Sequence, residues 1–135
     1  MKLIISAVVA AAAMFGLAGL YTQVLARDFI ANNVNPELLR NPPDLVITFL
    51  GYLFLALIMA YVYRFFQNKF QEPIKSGIFL GLSAAVVWIM PYSIVLFSVY
   101  NFPYVALPLD FVWMLIEQGV GGLLIGLIQG RRLKI

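Results

Sequence analysis

Four long apolar runs alternate with three shorter polar breaks along this chain, over residues 3–25, 45–66, 77–100 and 110–130. A bilayer core ~30 Å thick is crossed by ~20 helical residues, and every run is close to that length. None of the runs alternates apolar and polar residues with period two. Four strands would in any case be too few to close a membrane barrel. The predicted fold is therefore all-α: a four-helix transmembrane bundle forming a single transmembrane domain over residues 1–135.

Two segments need separate treatment. Met1-Lys2 followed by an Ala-rich stretch has the outline of a secretory leader, but its apolar part is longer than a usual leader core. It is expected to stay as the first helix. In the first break, Asn35-Pro36-Glu37 reads as a cap, a first-turn proline and an early acid. A short interfacial helix is predicted there, ending by Asn41-Pro42-Pro43. Phe29, Ile30, Val34, Leu38 and Leu39 would lay this loop on the membrane surface.

Composition strengthens the membrane assignment. The chain is 63% hydrophobic and 11% charged, with a mean hydropathy of +0.94. At 135 residues, a water-soluble core could not hide that much apolar surface. The lipid bilayer is thus the first expected partner. The net charge of +3 does not point to nucleic acid, because the basic residues stand at segment ends and form no basic face. Lys2, Arg64, Lys69, Lys75, Arg131, Arg132 and Lys134 fall on one side of the predicted membrane, and Arg27 and Arg40 on the other. By the positive-inside rule both termini are expected in the cytoplasm.

The chain contains no Cys and no His. Thiolate chemistry is excluded, and the commonest general base and transition-metal ligand is missing. No catalytic residue, metal site or cofactor is predicted, and the chain is expected not to be an enzyme.

Helix four carries the clearest spacing. Gly122, Gly126 and Gly130 make successive small-xxx-small steps, with Gly119 near the same ridge. Gly77 and Gly81 repeat the device on helix three, and Ala12 and Gly16 on helix one. Glycine lets helix backbones approach closely in lipid, so these ridges serve either packing within the bundle or a seam for a partner subunit or second copy.

Glu117 is the polar residue most in need of explanation, since a carboxyl deep in an apolar run is costly. At ~100° per residue, Asp110, Glu117 and Gly121 share one face of helix four, opposite the glycine ridge. Counting depth from the outer helix ends brings Tyr52 and either Tyr92 or Ser93 level with Glu117. Arg27 would reach down from the outer surface. A polar pocket of Glu117, Asp110, Tyr52, Tyr92 and Arg27 is therefore predicted, about 10 Å below the outer end of helix four. It would serve as a hydrogen-bonded cluster, a ligand or proton site, or a subunit contact. Pro91 is expected to kink helix three beside it.

The helix count, the loop lengths and the pattern Asp110-Phe111-Val112-Trp113, Glu117-Gln118-Gly119, Gly122 and Gly126 resemble the small uncharacterised four-helix membrane proteins of bacteria, of domain-of-unknown-function type. That resemblance implies an inner-membrane location and no assigned activity. The first expected function is a non-enzymatic scaffold or accessory subunit packing through its glycine ridges. The second is a small solute or proton-coupled transporter using Glu117.

Overall fold

The polar breaks and their capping residues set where the helices begin and end. A computed structural model describes residues 1–67 and 70–130. Lys69, Arg131, Arg132 and Lys134, which contribute to the charge asymmetry, lie outside the described residues.

Helix α1 (Lys2–Leu20) continues through a wide π turn, Tyr21–Leu25, into the two-turn α2 (Arg27–Asn33). Asp44 caps α3 (Leu45–Phe66), its Oδ1 accepting the Ile47 N–H at 3.0 Å. Pro73 at the first turn starts α4 (Pro73–Ala84). A second π turn, Ala85–Ile89, joins α4 to α5 (Met90–Val99), and α6 covers Ala106–Gly130. Four helical stretches, Lys2–Leu25, Leu45–Phe66, Pro73–Val99 and Ala106–Gly130, are long and apolar enough to cross a membrane. Apart from α2 and a short 3₁₀ turn, the other described residues are turns and loops, with no strand.

Several boundaries differ from those predicted. The third span starts at Pro73 rather than near residue 77, because a proline at the first turn loses no helical hydrogen bond. The fourth starts at Ala106, four residues early, which moves Glu117 close to the middle of its helix. At 1.5 Å per residue Glu117 lies roughly 16 Å from the start of α6, not ~10 Å. In the first loop, Asn35 does cap a turn, its Oδ1 accepting the Glu37 N–H at 3.0 Å. However, that turn is a single 3₁₀ turn, Pro36–Leu38, and the real helix of the loop is α2 before it. Leu39 is already extended, and the Pro42-Pro43 pair leaves no room to continue.

Helix α6 sits at the centre, packing on α4 along one side and on α1 along the other, while α1 also packs on α3. The α4–α6 contact is backbone against backbone. A Cβ added at Gly122 would lie 2.8 Å from the Gly81 nitrogen and 3.0 Å from the Gly77 carbonyl carbon, and one at Gly77 would lie 3.0 Å from the Gly126 Cα. Gly130 meets the Pro73 ring. Gly119 differs: its Cβ would make an ordinary 3.5 Å contact with Leu82. Gly16 faces open space, so the small step of helix one is not used inside the bundle.

Alanines close the opposite seam, with Ala7, Ala10 and Ala11 of α1 fully buried alongside Ala56 and Ala60 of α3. Gln129 ties this end together by donating from Nε2 to the Ser6 hydroxyl and the Ala60 carbonyl, both at 2.9 Å. Such amide bridges between helices recur in lipid, where the alternative is an unpaired polar group. The outward faces are strongly apolar: Phe54, Val87 and Trp88 are all exposed.

Candidate functional site

The close packing does not continue along the whole bundle. Met14 meets Gly121 tightly, with a Cβ at Gly121 falling 2.6 Å from the Met14 sulfur. Beyond that contact, toward the end carrying the 26–44 and 100–105 loops, bulky rings replace the alanines. Phe15 packs edge-on to Phe49 and Tyr52, with centroids 5.6 and 6.4 Å apart. Tyr21 stacks on Trp113 at 5.0 Å and 15°. Alanine pairs let two helices touch, whereas rings hold them apart. The result is a cavity of about 410 Å³ between α1, α3, the second π turn and α6, within the usual range for small-molecule sites.

One stripe of α6 supplies the chemistry. Asp110, Trp113, Met114, Glu117 and Gln118 follow the i, i+3, i+4, i+7, i+8 spacing of a single helix face, and all line the cavity. Glu117 is 6% exposed and Gln118 1%. The Tyr52 hydroxyl faces the Glu117 carboxyl, and Gln118 Nε2 donates to Glu117 Oε1 at 3.1 Å. The Trp113 indole N–H faces the same carboxyl, yet it is buried without closing a well-formed hydrogen bond. The side-chain oxygen of Gln118 is likewise buried with no partner. Higher up, Ser93 donates to Asp110 Oδ2 at 2.9 Å. No Lys or Arg lines the cavity, and among the described residues neither Asp110 nor Glu117 takes part in an ion pair.

Of the five predicted pocket residues, the structure brings together Glu117, Asp110 and Tyr52. Tyr92 is not among them: it is 63% exposed on the outer surface, and its neighbour Ser93 points inward instead. Arg27 is exposed at the start of α2 and does not line the cavity. The wide turn at Tyr21–Leu25 carries the chain away before Arg27 can turn back over the acids. The departure from α geometry in the third span lies one turn ahead of Pro91. Met90 N–H reaches back to the Ala85 carbonyl, and this wider turn relieves the clash a proline makes with the carbonyl four residues earlier, here Val87.

Four contributors were not predicted from the sequence: Tyr21, Trp113, Gln118 and the π turns. Trp113 and Gln118 had a usable signal, since both fall on the Asp110–Glu117 side of an ideal helix. The π turns had none. Both nevertheless border the cavity, through Tyr21 and Thr22 of the first and Ile89 of the second. Such bulges concentrate at functional sites.

Comparison with family models, with curated proteins and with solved structures finds no match to this chain.

Proposed function

We propose that this chain is a multi-pass, non-enzymatic protein of the inner (plasma) membrane that binds a small solute at the Glu117 cavity, as a transporter or solute-binding component. The carrying observation is the cavity itself. It places two carboxyls with no cationic partner on one open surface, beside a Trp113 indole N–H and a Gln118 amide oxygen that are buried without partners. A cluster that served only to fix helix order would pair these groups.

The glycine ridges support this choice over a docking scaffold. Gly77, Gly81, Gly122 and Gly126 are consumed by the chain's own α4–α6 contact, so they present no seam to a partner subunit. With both termini cytoplasmic, as the basic residues favour, the cavity opens toward the outer side and its floor at Glu117 lies near mid-membrane.

The chain has no cysteine, so single cysteines report accessibility cleanly. Gly51 and Met114 line the cavity, while Leu50 and Val112 stand at similar heights on the exposed apolar surface. Gly51→Cys and Met114→Cys in sealed vesicles should react with water-soluble methanethiosulfonates at least tenfold faster than Leu50→Cys and Val112→Cys. Equal, slow reaction at all four positions would mean that no water-filled cavity exists.

A further inference from the structure

The ligand's chemistry can be read from the walls, given the solute-binding role proposed above. Two carboxyls line the space without a cationic partner, Asp110 and Glu117. The Gln118 amide oxygen is buried beside Glu117 without a partner and adds an uncompensated negative dipole to this wall. The lining contains no Lys or Arg, so an anion would meet two carboxyls and no counter-charge. A carboxyl surrounded by apolar groups needs a cation, a proton or water beside it.

The remaining walls indicate which kind of cation. Tyr21, Tyr52 and Trp113 present aromatic surface, and Leu55, Ile89 and Met114 complete an apolar boundary. Calcium and magnesium take six or more oxygens, and no group of three or more acidic, His or Cys side chains occurs among the described residues. Aromatic faces attract a cation through their quadrupole, and they accept the carbon shell of an alkylated or arylated ammonium at the same time. A hydrated metal ion gains little from such walls.

We propose that the cavity binds an organic ammonium cation, with its charge between Asp110 and Glu117 and its apolar part against the rings of Tyr21, Tyr52 and Trp113. Glu117 is the principal counter-charge, being the deeper carboxyl. Asp110, nearer the mouth and already bonded to Ser93, is the first charge that an incoming cation meets.

The test uses the full chain in vesicles with Gly51→Cys, and Met114→Cys as a second reporter should either substitution disturb folding. Two ethyl methanethiosulfonates are compared, one bearing trimethylammonium and the other sulfonate. Their rates are normalised to Asn101→Cys in the exposed 100–105 loop. The ammonium reagent should be favoured at least tenfold in the cavity. Benzyltrimethylammonium chloride should slow the reaction saturably, while sodium chloride and benzyl alcohol at equal concentration should not. Adding Glu117→Gln should reduce the ammonium preference to within about threefold of the loop value.

Reaction with both reagents but without charge preference, or protection by benzyl alcohol or sodium chloride equal to that by the ammonium salt, would overturn the ligand class and leave the cavity standing. Reaction with neither would overturn the cavity and the ligand class together.

Discussion

Gly122→Leu should abolish the folded bundle, whereas Gly119→Ala three residues away should leave it intact. At Gly122 the nearest obstacles to any side chain are the backbone atoms of Gly77 and Gly81. Neither can rotate away as a side chain would. Overpacking in ordinary cores costs about 1–3 kcal/mol because neighbouring side chains yield. Here α4 and α6 must separate, and with them the most extensive helix–helix contact among the described residues is lost. Gly122→Ala alone should reach the upper end of that range, roughly 3 kcal/mol. At Gly119 a methyl group meets only the mobile end of Leu82 at 3.5 Å, and alanine is also the better helix former. Thermal unfolding in a mild detergent, followed by size-exclusion chromatography, separates the two outcomes. Equal stability of Gly122→Leu and the parent would mean that α4 and α6 do not touch through these glycines.

Glu117→Gln has the second large effect, and it falls on ligand binding rather than on folding. A glutamine amide keeps an oxygen for the Gln118 N–H and still faces the Tyr52 hydroxyl, so the local hydrogen bond survives. The negative charge does not. Protection of the Gly51→Cys thiol by benzyltrimethylammonium should weaken at least tenfold, which corresponds to about 1.4 kcal/mol of binding. The melting temperature should stay near that of the parent. Glu117→Leu provides the contrast, because it leaves Tyr52 and Gln118 facing an apolar side chain. Each unpaired buried group costs about 1–3 kcal/mol, so this variant should lose stability as well as binding. Were Glu117 only a structural tie, Glu117→Gln would leave cation protection at the parental level.

The contrast between these two sites bears on what the sequence could reveal. The four apolar stretches were legible because hydropathy is a property of composition and needs no partner. The glycine spacing announced a close helix approach. Which helix would be approached was not legible, since a ridge on α6 fits a neighbour in the same chain or another chain equally well. Glu117, Asp110 and Tyr52 line one cavity, and the helical phase that puts Asp110 and Glu117 on one face follows from counting residues.

Counting failed where the helix was not ideal. The π turn at Ala85–Ile89 inserts extra backbone before α5 and rotates its face, so Ser93 points inward where Tyr92 was expected. Arg27 was misplaced for a related reason: the wide turn at Tyr21–Leu25 ends the span and starts α2 in a new direction. Glu117 proved deeper than predicted because α6 runs back to Ala106, through Pro108. A proline in a first turn costs a helix little, so the helix extends back past Pro108.

The two tryptophans offer the most direct test of the cavity. Trp113 lines it, while Trp88 is 69% exposed on the apolar exterior. Chains carrying only one of them, made with Trp88→Phe or Trp113→Phe, can be placed in vesicles and quenched by aqueous acrylamide or by brominated lipid. Trp113 should be quenched several-fold more by acrylamide than Trp88, and Trp88 more by brominated lipid. If Trp113 is instead shielded from acrylamide and quenched by brominated lipid as strongly as Trp88, the Glu117 site is not open to water-borne solutes.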